Sequence, residues 1–457
     1  MFRFWISLLL ASCGLSAEPA DYILRARYVV TMDGSHRVIE NGAIAVRGER
    51  ILAAGSKAEI DAKFQAKSRI DEPKSLIAPG LINTHTHAPM ALFRGIADDL
   101  RLQDWLQKYI FPAEAKNVTP EFVRWGTRLA CAEMLLSGTT TYADMYYFED
   151  VIAEATKECG MRGVLGQTVI QFPVADAKSP AEAMHRADLF LKKYDHDPLI
   201  VPAVAPHAVY TNSDETLRAA RALANRYQKP LLIHLSETER ENSELASKRN
   251  MSPTKLLESL GVLSGRTLVA HAIWVNDEDI AILQRRGTGI AHCPSSNMKL
   301  ASGVAPVMQF LRRNLAAGLG TDGPAGSNND VNMFEEMDLA AKLQKVTLRD
   351  PLALSAEQVF EMATIRGARA LGLSKEIGSI ETGKRADLMF VKLDAPHAVP
   401  LYNVYSQLVY ALKGSDVQHV MVNGKLVVRS RQLTTINLAQ VIEKGAEYGR
   451  KIHQSLR

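Results

Sequence analysis

Eight short apolar runs, separated by stretches of helical periodicity, constrain this chain more than any other feature. They lie at residues 76–82, 139–144, 163–170, 200–205, 231–234, 267–270, 289–291 and 317–320. Between them, 179–193 and 215–227 read as helices, and a further helix starts at Ser355, with Gln358 three residues on as a capping box, and ends before Gly372. Strand and helix alternating eight times predict a closed (β/α)8, TIM-type barrel rather than an open sheet. The chain has 457 residues, and a single barrel of this kind often runs well past ~200.

Both ends are strand-like instead. Residues 22–24, 28–30 and 43–52 alternate around a turn at Gly48, and 386–391 and 420–428 do so again, the latter around Asn423-Gly424, a hairpin-turn pair. The expected organisation is therefore a barrel over 76–375, a small β-sandwich domain built by both termini (21–75 and 376–430), and a helical tail over 431–457. Residues 1–20 read as an export signal. Met1-Phe2-Arg3 gives a positive start, Phe4 to Ala11 is apolar but too short to span a bilayer, and Leu10-Ala11-Ser12-Cys13 has the form of a lipobox. Leu15-Ser16-Ala17 offers an alternative cleavage site. The expectation is an exported protein, periplasmic or tethered to a membrane by lipid on Cys13; the competing reading is a misplaced start ahead of a cytoplasmic enzyme.

Hydrophobic residues make up 47% and charged residues 23%, the balance of a globular protein with ample core. Basic and acidic residues number 54 and 50, and no basic run is long enough to suggest nucleic acid. The partner expected is a small molecule, with homo-oligomerisation left open. Beyond Cys13, only Cys131, Cys159 and Cys293 remain, so there is neither a disulfide framework nor a cysteine zinc site. Cys131 lies in an apolar helical stretch and reads as a core thiol. Any metal must be held by histidine and carboxylate.

The polar residues at the ends of the apolar runs carry the chemistry. His85 and His87 follow the first run in Asn83-Thr84-His85-Thr86-His87, and side chains two apart on a strand point to the same side. His207 follows the fourth run, His234 closes the fifth, His271 closes the sixth, and Asp322 closes the eighth in Gly320-Thr321-Asp322-Gly323. In a barrel these C-terminal strand ends meet at one mouth. A lone strand-end histidine is ordinarily a scaffold residue, and His-x-His alone occurs by chance; their joint placement points to a metal site. His85, His87, His234 and Asp322 supply three nitrogens and one oxygen, a set suited to Zn2+ and compatible with Fe2+. A cation so held lowers the pKa of a water toward about 7. The fourth run contains no lysine, which argues against a bridging carboxylated lysine and for one metal rather than two. Glu237, three residues beyond His234, is placed to move protons beside that water; its alternative role is an ordinary helix-start carboxylate.

These residues resemble the amidohydrolase superfamily. Asn83 through Met90, Phe93-Arg94-Gly95, Trp105-Leu106 and Phe111-Pro112-Ala113-Glu114 are similar to its 5-methylthioadenosine/S-adenosylhomocysteine deaminase branch. His292-Cys293-Pro294-Ser295-Ser296-Asn297-Met298-Lys299-Leu300, Gly320 to Gly323 and Gly383 to Leu388 extend the likeness over nearly the whole chain after residue 20. The resemblance implies one zinc on His85, His87, His234 and Asp322. It implies Glu114 on the ribose hydroxyls, His207 and Glu237 on the purine, and Trp105 and Asp322 among the substrate contacts. The implied reaction is hydrolytic deamination of an adenine nucleoside. Glu237 shuttles a proton to the ring nitrogen, His271 steadies the developing oxyanion, Asp322 accepts the remaining proton, and ammonia leaves an inosine-type product. The family tends to place arginines for the homocysteine carboxylate; one expected after the third strand is Gln167 here, and the loop 172–180 has no arginine. That weakens S-adenosylhomocysteine against methylthioadenosine or adenosine, unless an arginine from another loop or subunit compensates. The alternatives are an aminohydrolase of a guanine, pterin, cytosine or triazine ring, and a non-catalytic exported binding protein on the same barrel.

Overall fold

A computed structural model describes residues 17–456. The lipobox and Cys13 lie outside the described residues. Four strands, β1 (Glu18–Val30), β2 (Val38–Arg47), β3 (Arg50–Ser56) and β4 (Phe64–Pro79), come first. Then follow β5 (Leu81–Thr86), β6 (Thr139–Tyr146), β7 (Arg162–Val169), β8 (Ile200–Pro206), β9 (Leu231–Leu235), β10 (Thr267–His271), β11 (Gly289–His292) and β12 (Ala316–Leu319). The last four are β13 (Leu388–Lys392), β14 (Val417–Val422), β15 (Lys425–Arg429) and β16 (Gln432–Leu433).

Strands β5 to β12 form one eight-stranded parallel sheet in sequential order. It closes between its first and last strands, where Thr84 Oγ1 donates to the Leu319 carbonyl at 2.8 Å and Asp322 N donates to the His85 carbonyl at 2.9 Å. Strands buried on both faces carry continuous apolar runs, as these do. Inward side chains such as Ile82, Val164, Ala203, Leu232 and Leu268 fill the barrel as a packed core.

The remaining eight strands form a second sheet in the order β16-β15-β14-β13-β4-β1-β2-β3, so both termini build it. The sheet curls upon itself: Ala386 N donates to the Glu49 carbonyl at 2.9 Å, and Asn423 Nδ2 donates to Glu49 Oε2 at 3.1 Å, setting the β2–β3 turn against the β14–β15 turn. Leu24, Ile44, Val46, Ile51, Phe390 and Met421 are buried within the curl. Asn423 and Gly424 take positive φ of 51° and 75°, as their hairpin requires. Arg162, at the start of β7, reaches Asp387 at 3.0 Å and ties the barrel to this sheet.

Three local differences from the sequence reading have physical reasons. The apolar run 76–82 is not one barrel strand: residues up to Pro79 belong to β4, and the barrel begins at Leu81. Periodicity cannot divide a run buried throughout; Gly80 marks the break, where a Cβ would sit 2.2 Å from Thr140 Cγ2. β1 begins at Glu18, inside the span read as an export signal, because Glu18 to Ala20 pair in register with Phe64 to Ala66. The helix opened by Ser355 keeps its capping box but ends at Met362, and Thr364, with φ −132° and ψ −102°, separates it from Ile365–Ala370. Helices Pro180–Lys193 and Asp214–Arg226 form with Ser179 and Ser213 as N-caps. Helix Leu438–Ser455 packs on Pro120–Leu136 and on Phe111–Asn117. No helix among the described residues is long and apolar enough to cross a membrane.

Candidate active site and metal centre

One nitrogen each of His85, His87 and His234 and one oxygen of Asp322 lie within 4.8 Å of one another. Asp322 Oδ1 stands 3.3 Å from Nε2 of both His85 and His87. The donor set fits a cation for reasons visible in its hydrogen bonding. His87 Nδ1 lies 2.6 Å from the Met145 carbonyl, and His234 Nδ1 lies 2.7 Å from the His207 carbonyl. A carbonyl only accepts, so each Nδ1 carries a proton and each Nε2 is the nitrogen left to face a cation. His85 Nε2 is buried with no hydrogen-bond partner, an arrangement costly without a ligand. Burial lowers the pKa of His85 to about 4 and holds that of His234 well below its ordinary value, keeping both neutral. For His87 burial acts the same way but is outweighed by its hydrogen bond and charge attraction to Asp322, and the pKa rises to about 9. Asp322 is correspondingly held well below the carboxylate range: its burial is outweighed by the attraction of His85 and His87 beside it. A cation would take the place of the His87 proton between these partners.

The backbone that delivers these groups is strained. Ser236, His271 and Asp322 have φ of 49°, 70° and 64°, a region that side-chain-bearing residues rarely enter. The turn at Asp322 brings its Oδ1 to accept from Gly323 N at 2.7 Å, while Ser296 Oγ donates to Oδ2 at 2.7 Å. His271 lies within hydrogen-bond distance of Asn297 Oδ1, 3.0 Å from Nδ1, and sets Nε2 3.9 Å from Glu237 Oε2. Burial raises the Glu237 carboxyl, although His271 opposes the shift. Glu237 is not in the helix that follows; Thr238 caps that helix, and Glu241 accepts from Glu237 N at 2.9 Å.

His87, His234, Glu237, His271 and Asp322 line one end of a pocket that also holds Trp105, Glu114 and His207. The structure thus brings every sequence-nominated site residue to this mouth except His85, which lies just behind the lining. His207 approaches Thr211 Oγ1 at 3.2 Å through Nδ1, and burial lowers its pKa to about 3, so it enters the pocket neutral. Trp105 donates from Nε1 to the Ala325 carbonyl at 2.9 Å and presents its ring to the pocket. Glu114 is 6% exposed, and burial pushes its carboxyl up to about 7 against the hydrogen bonds it accepts. Those come from Tyr146 Oη at 2.7 Å and Tyr147 Oη at 3.3 Å. The rest of the wall is mostly apolar, with Leu102, Leu106, Ile110 and Phe111 from one segment and the hydroxyls of Thr168 and Tyr210 among them.

Sequence reasoning gave no role to Tyr146, Tyr147, Ser296 or Asn297. Their signal was present: the tyrosines sit at the end of β6, and Ser296 and Asn297 open the short helix after β11, so the strand-end rule applied to all hydroxyl and amide residues finds them. Gln167 is buried but turned from the pocket, its Nε2 donating to Asp176 Oδ2 at 2.8 Å; Thr168 faces the pocket instead.

The amidohydrolase family model matches residues 76–427. The chain is 46% identical over 436 residues to the 5-methylthioadenosine/S-adenosylhomocysteine deaminase of Thermodesulfovibrio yellowstonii, covering 95% of this chain and 99% of that one. An adenosine deaminase from Xanthomonas campestris, solved with bound zinc, superposes with a TM-score of 0.94 at 39% identity, over 96% of this chain and 100% of that one. A zinc complex of the atrazine chlorohydrolase of Arthrobacter aurescens superposes with a TM-score of 0.86 at 25% identity, over 94% and 100%. A closed parallel barrel, a His3Asp cluster at its mouth and this breadth of likeness have one reading: the chain belongs to the amidohydrolase family, within its 5-methylthioadenosine/S-adenosylhomocysteine deaminase branch, and is a metal-dependent hydrolase of C–N bonds.

Proposed function

We propose that the protein binds one zinc ion and hydrolytically deaminates an adenine nucleoside, such as 5-methylthioadenosine, S-adenosylhomocysteine or adenosine, to ammonia and the inosine-type product. The observation that carries the reading is the placement of Glu237 and the metal cluster at one end of a pocket that also holds Glu114. A purine set against the cluster leaves its ribose hydroxyls to meet a carboxylate that two tyrosines hold.

The cation would supply Lewis acidity, lowering the pKa of a water to about 7. The chain does the rest. Glu237, its carboxyl raised by burial, takes a proton and returns it to the ring nitrogen beside the amino-bearing carbon. His271, anchored on Asn297 and 3.9 Å from Glu237, steadies the negative charge that develops on oxygen. Asp322, kept ionised, accepts the remaining proton of the water and passes it to the amino group, which leaves as ammonia. His207, neutral and at the pocket wall, meets the purine.

The test is ammonia release by zinc-loaded protein from adenosine, 5-methylthioadenosine and S-adenosylhomocysteine, with guanine, cytosine, a pterin and an aminotriazine alongside. Turnover of an adenine nucleoside is expected; turnover of another ring alone would replace the substrate reading. Export, with Cys13 as the candidate lipid anchor, is proposed from the composition of residues 1–13. Mass analysis of the mature N-terminus checks it, and a chain starting at Met1 with an unmodified Cys13 would refute it.

A further inference from the structure

We propose that Phe111 and Phe172 form an apolar seat for an uncharged 5′ substituent, so that the enzyme selects against nucleosides whose 5′ tail is zwitterionic. The inference rests on the adenine-nucleoside reading and adds the residues that choose among such nucleosides.

Glu114 is the group proposed to hold the ribose. Phe111 lies three residues earlier in the helix Phe111–Asn117, one turn away on the same face, and both line the pocket. On this proposal a ribose held at Glu114 turns its 5′ carbon toward the Phe111 ring. Phe172, in the loop after β7, packs edge-on against Phe111 with ring centroids 5.4 Å apart. Phe172 is 37% exposed and stands outside the lining itself, so the pair extends from the pocket wall at Phe111 toward solvent. The wall also carries Leu102, Leu106, Ile110 and Leu300, with Thr168 and Tyr210 as further uncharged polar members.

Among the described residues lining this pocket there is no arginine or lysine. Two neighbouring lysines are engaged elsewhere, and Arg101, before Leu102, is exposed outside the lining. Lys108 pairs with Asp104, and Lys299 pairs with Asp98 and donates to the Gly326 carbonyl at 2.8 Å. A carboxylate and ammonium entering such a wall would lose hydration without gaining partners. An alkylthio group loses nothing polar and gains contact with two aromatic rings. Pockets of this kind discriminate about tenfold or more per added apolar group.

The experiment compares kcat/KM of the zinc-loaded full chain for adenosine, 5-methylthioadenosine, 5-butylthioadenosine and S-adenosylhomocysteine. Both alkylthio compounds should exceed S-adenosylhomocysteine by about tenfold or more. Phe172→Arg, a change at the half-exposed rim, should narrow that ratio by raising S-adenosylhomocysteine and lowering the butylthio compound. Phe172→Ala should lower both alkylthio compounds relative to adenosine, the butylthio compound more. Equal turnover of methylthioadenosine and S-adenosylhomocysteine by the wild type overturns the proposal while leaving adenine-nucleoside deamination intact. So does S-adenosylhomocysteine turnover that is lost in Arg101→Ala, which would assign the tail to the exposed cation before Leu102. Absence of ammonia from every adenine nucleoside, adenosine included, removes the underlying reading and this one with it.

Discussion

Tyr146→Phe isolates the question of how a buried carboxylate, Glu114, would serve as the proposed sugar-binding group. The substitution removes one oxygen and leaves the ring packed between Tyr147 and His87. The lost hydrogen bond is the 2.7 Å one from Tyr146 Oη to Glu114 Oε1. A hydrogen bond to a charged group contributes about 1.5–3 kcal/mol, and 1.36 kcal/mol corresponds to one pKa unit, so the carboxyl should rise by about one to two units. From about 7 in the wild type, that leaves roughly a tenth or less ionised at neutral pH, against one half before. If only the carboxylate accepts the ribose hydroxyls, kcat/KM at pH 7 falls roughly tenfold, chiefly through KM, and recovers above pH 9. A cation at the cluster moves both profiles to lower pH alike and leaves their separation intact. Stability carries the opposite sign. Because folding raises the Glu114 pKa, its contribution is fully present below the ordinary carboxyl pKa and is lost as pH rises through about 7. The assay is a pH series of kcat/KM for wild type, Tyr146→Phe and Glu114→Gln. Superimposable profiles for the first two would refute the reasoning, as would a Glu114→Gln variant that keeps the alkaline rise.

Glu237→Gln should keep its metal by elemental analysis while kcat falls by about 10²–10⁴, since the amide cannot carry a proton; unchanged turnover would remove Glu237 from the mechanism. Ser296→Ala should weaken metal affinity by about 10–100-fold in a chelator titration, because Asp322 Oδ2 loses its 2.7 Å donor, and an unaltered titration would assign Ser296 to packing alone. Gly126→Ala, ordinarily stabilising in a helix, should instead lower Tm, because its Cβ would lie 2.3 Å from the Pro89 carbonyl oxygen; a raised Tm would show that the contact yields.

The barrel was legible because its physics is repetitive. Strands covered on both faces need unbroken apolar runs, and eight of these with helical spacers admit few architectures. Boundaries were harder. Leu76 to Ile82 reads as one strand because nothing in its side chains says that β4 belongs to one sheet and β5 to another. The break is a matter of space at Gly80, set by Thr140 sixty residues on. Likewise the helix opened by Ser355 was found through its cap, but its interruption at Thr364 lies between residues with no breaker among them.

The site divides along the same line. His85, His87, His234, His271 and Asp322 could be found because ligand chemistry restricts which side chains serve and barrel geometry restricts where they sit. What orients them could not be found, because it depends on contacts between residues far apart in sequence. The His87 proton is fixed by a carbonyl at Met145 and the Glu114 carboxylate by hydroxyls at Tyr146 and Tyr147, all three from the end of β6. A single strand end thus sets both the tautomer of a metal ligand and the charge of the group proposed to hold the sugar. That coupling makes β6 the element whose displacement would disturb both ends of the pocket together. The position flagged from sequence, Gln167, faces away, its amide donating to Asp176 and to the Thr168 carbonyl. Choice of substrate therefore rests with residues that no spacing rule marks: a phenylalanine one helical turn from Glu114, and another on a loop singled out only for lacking arginine.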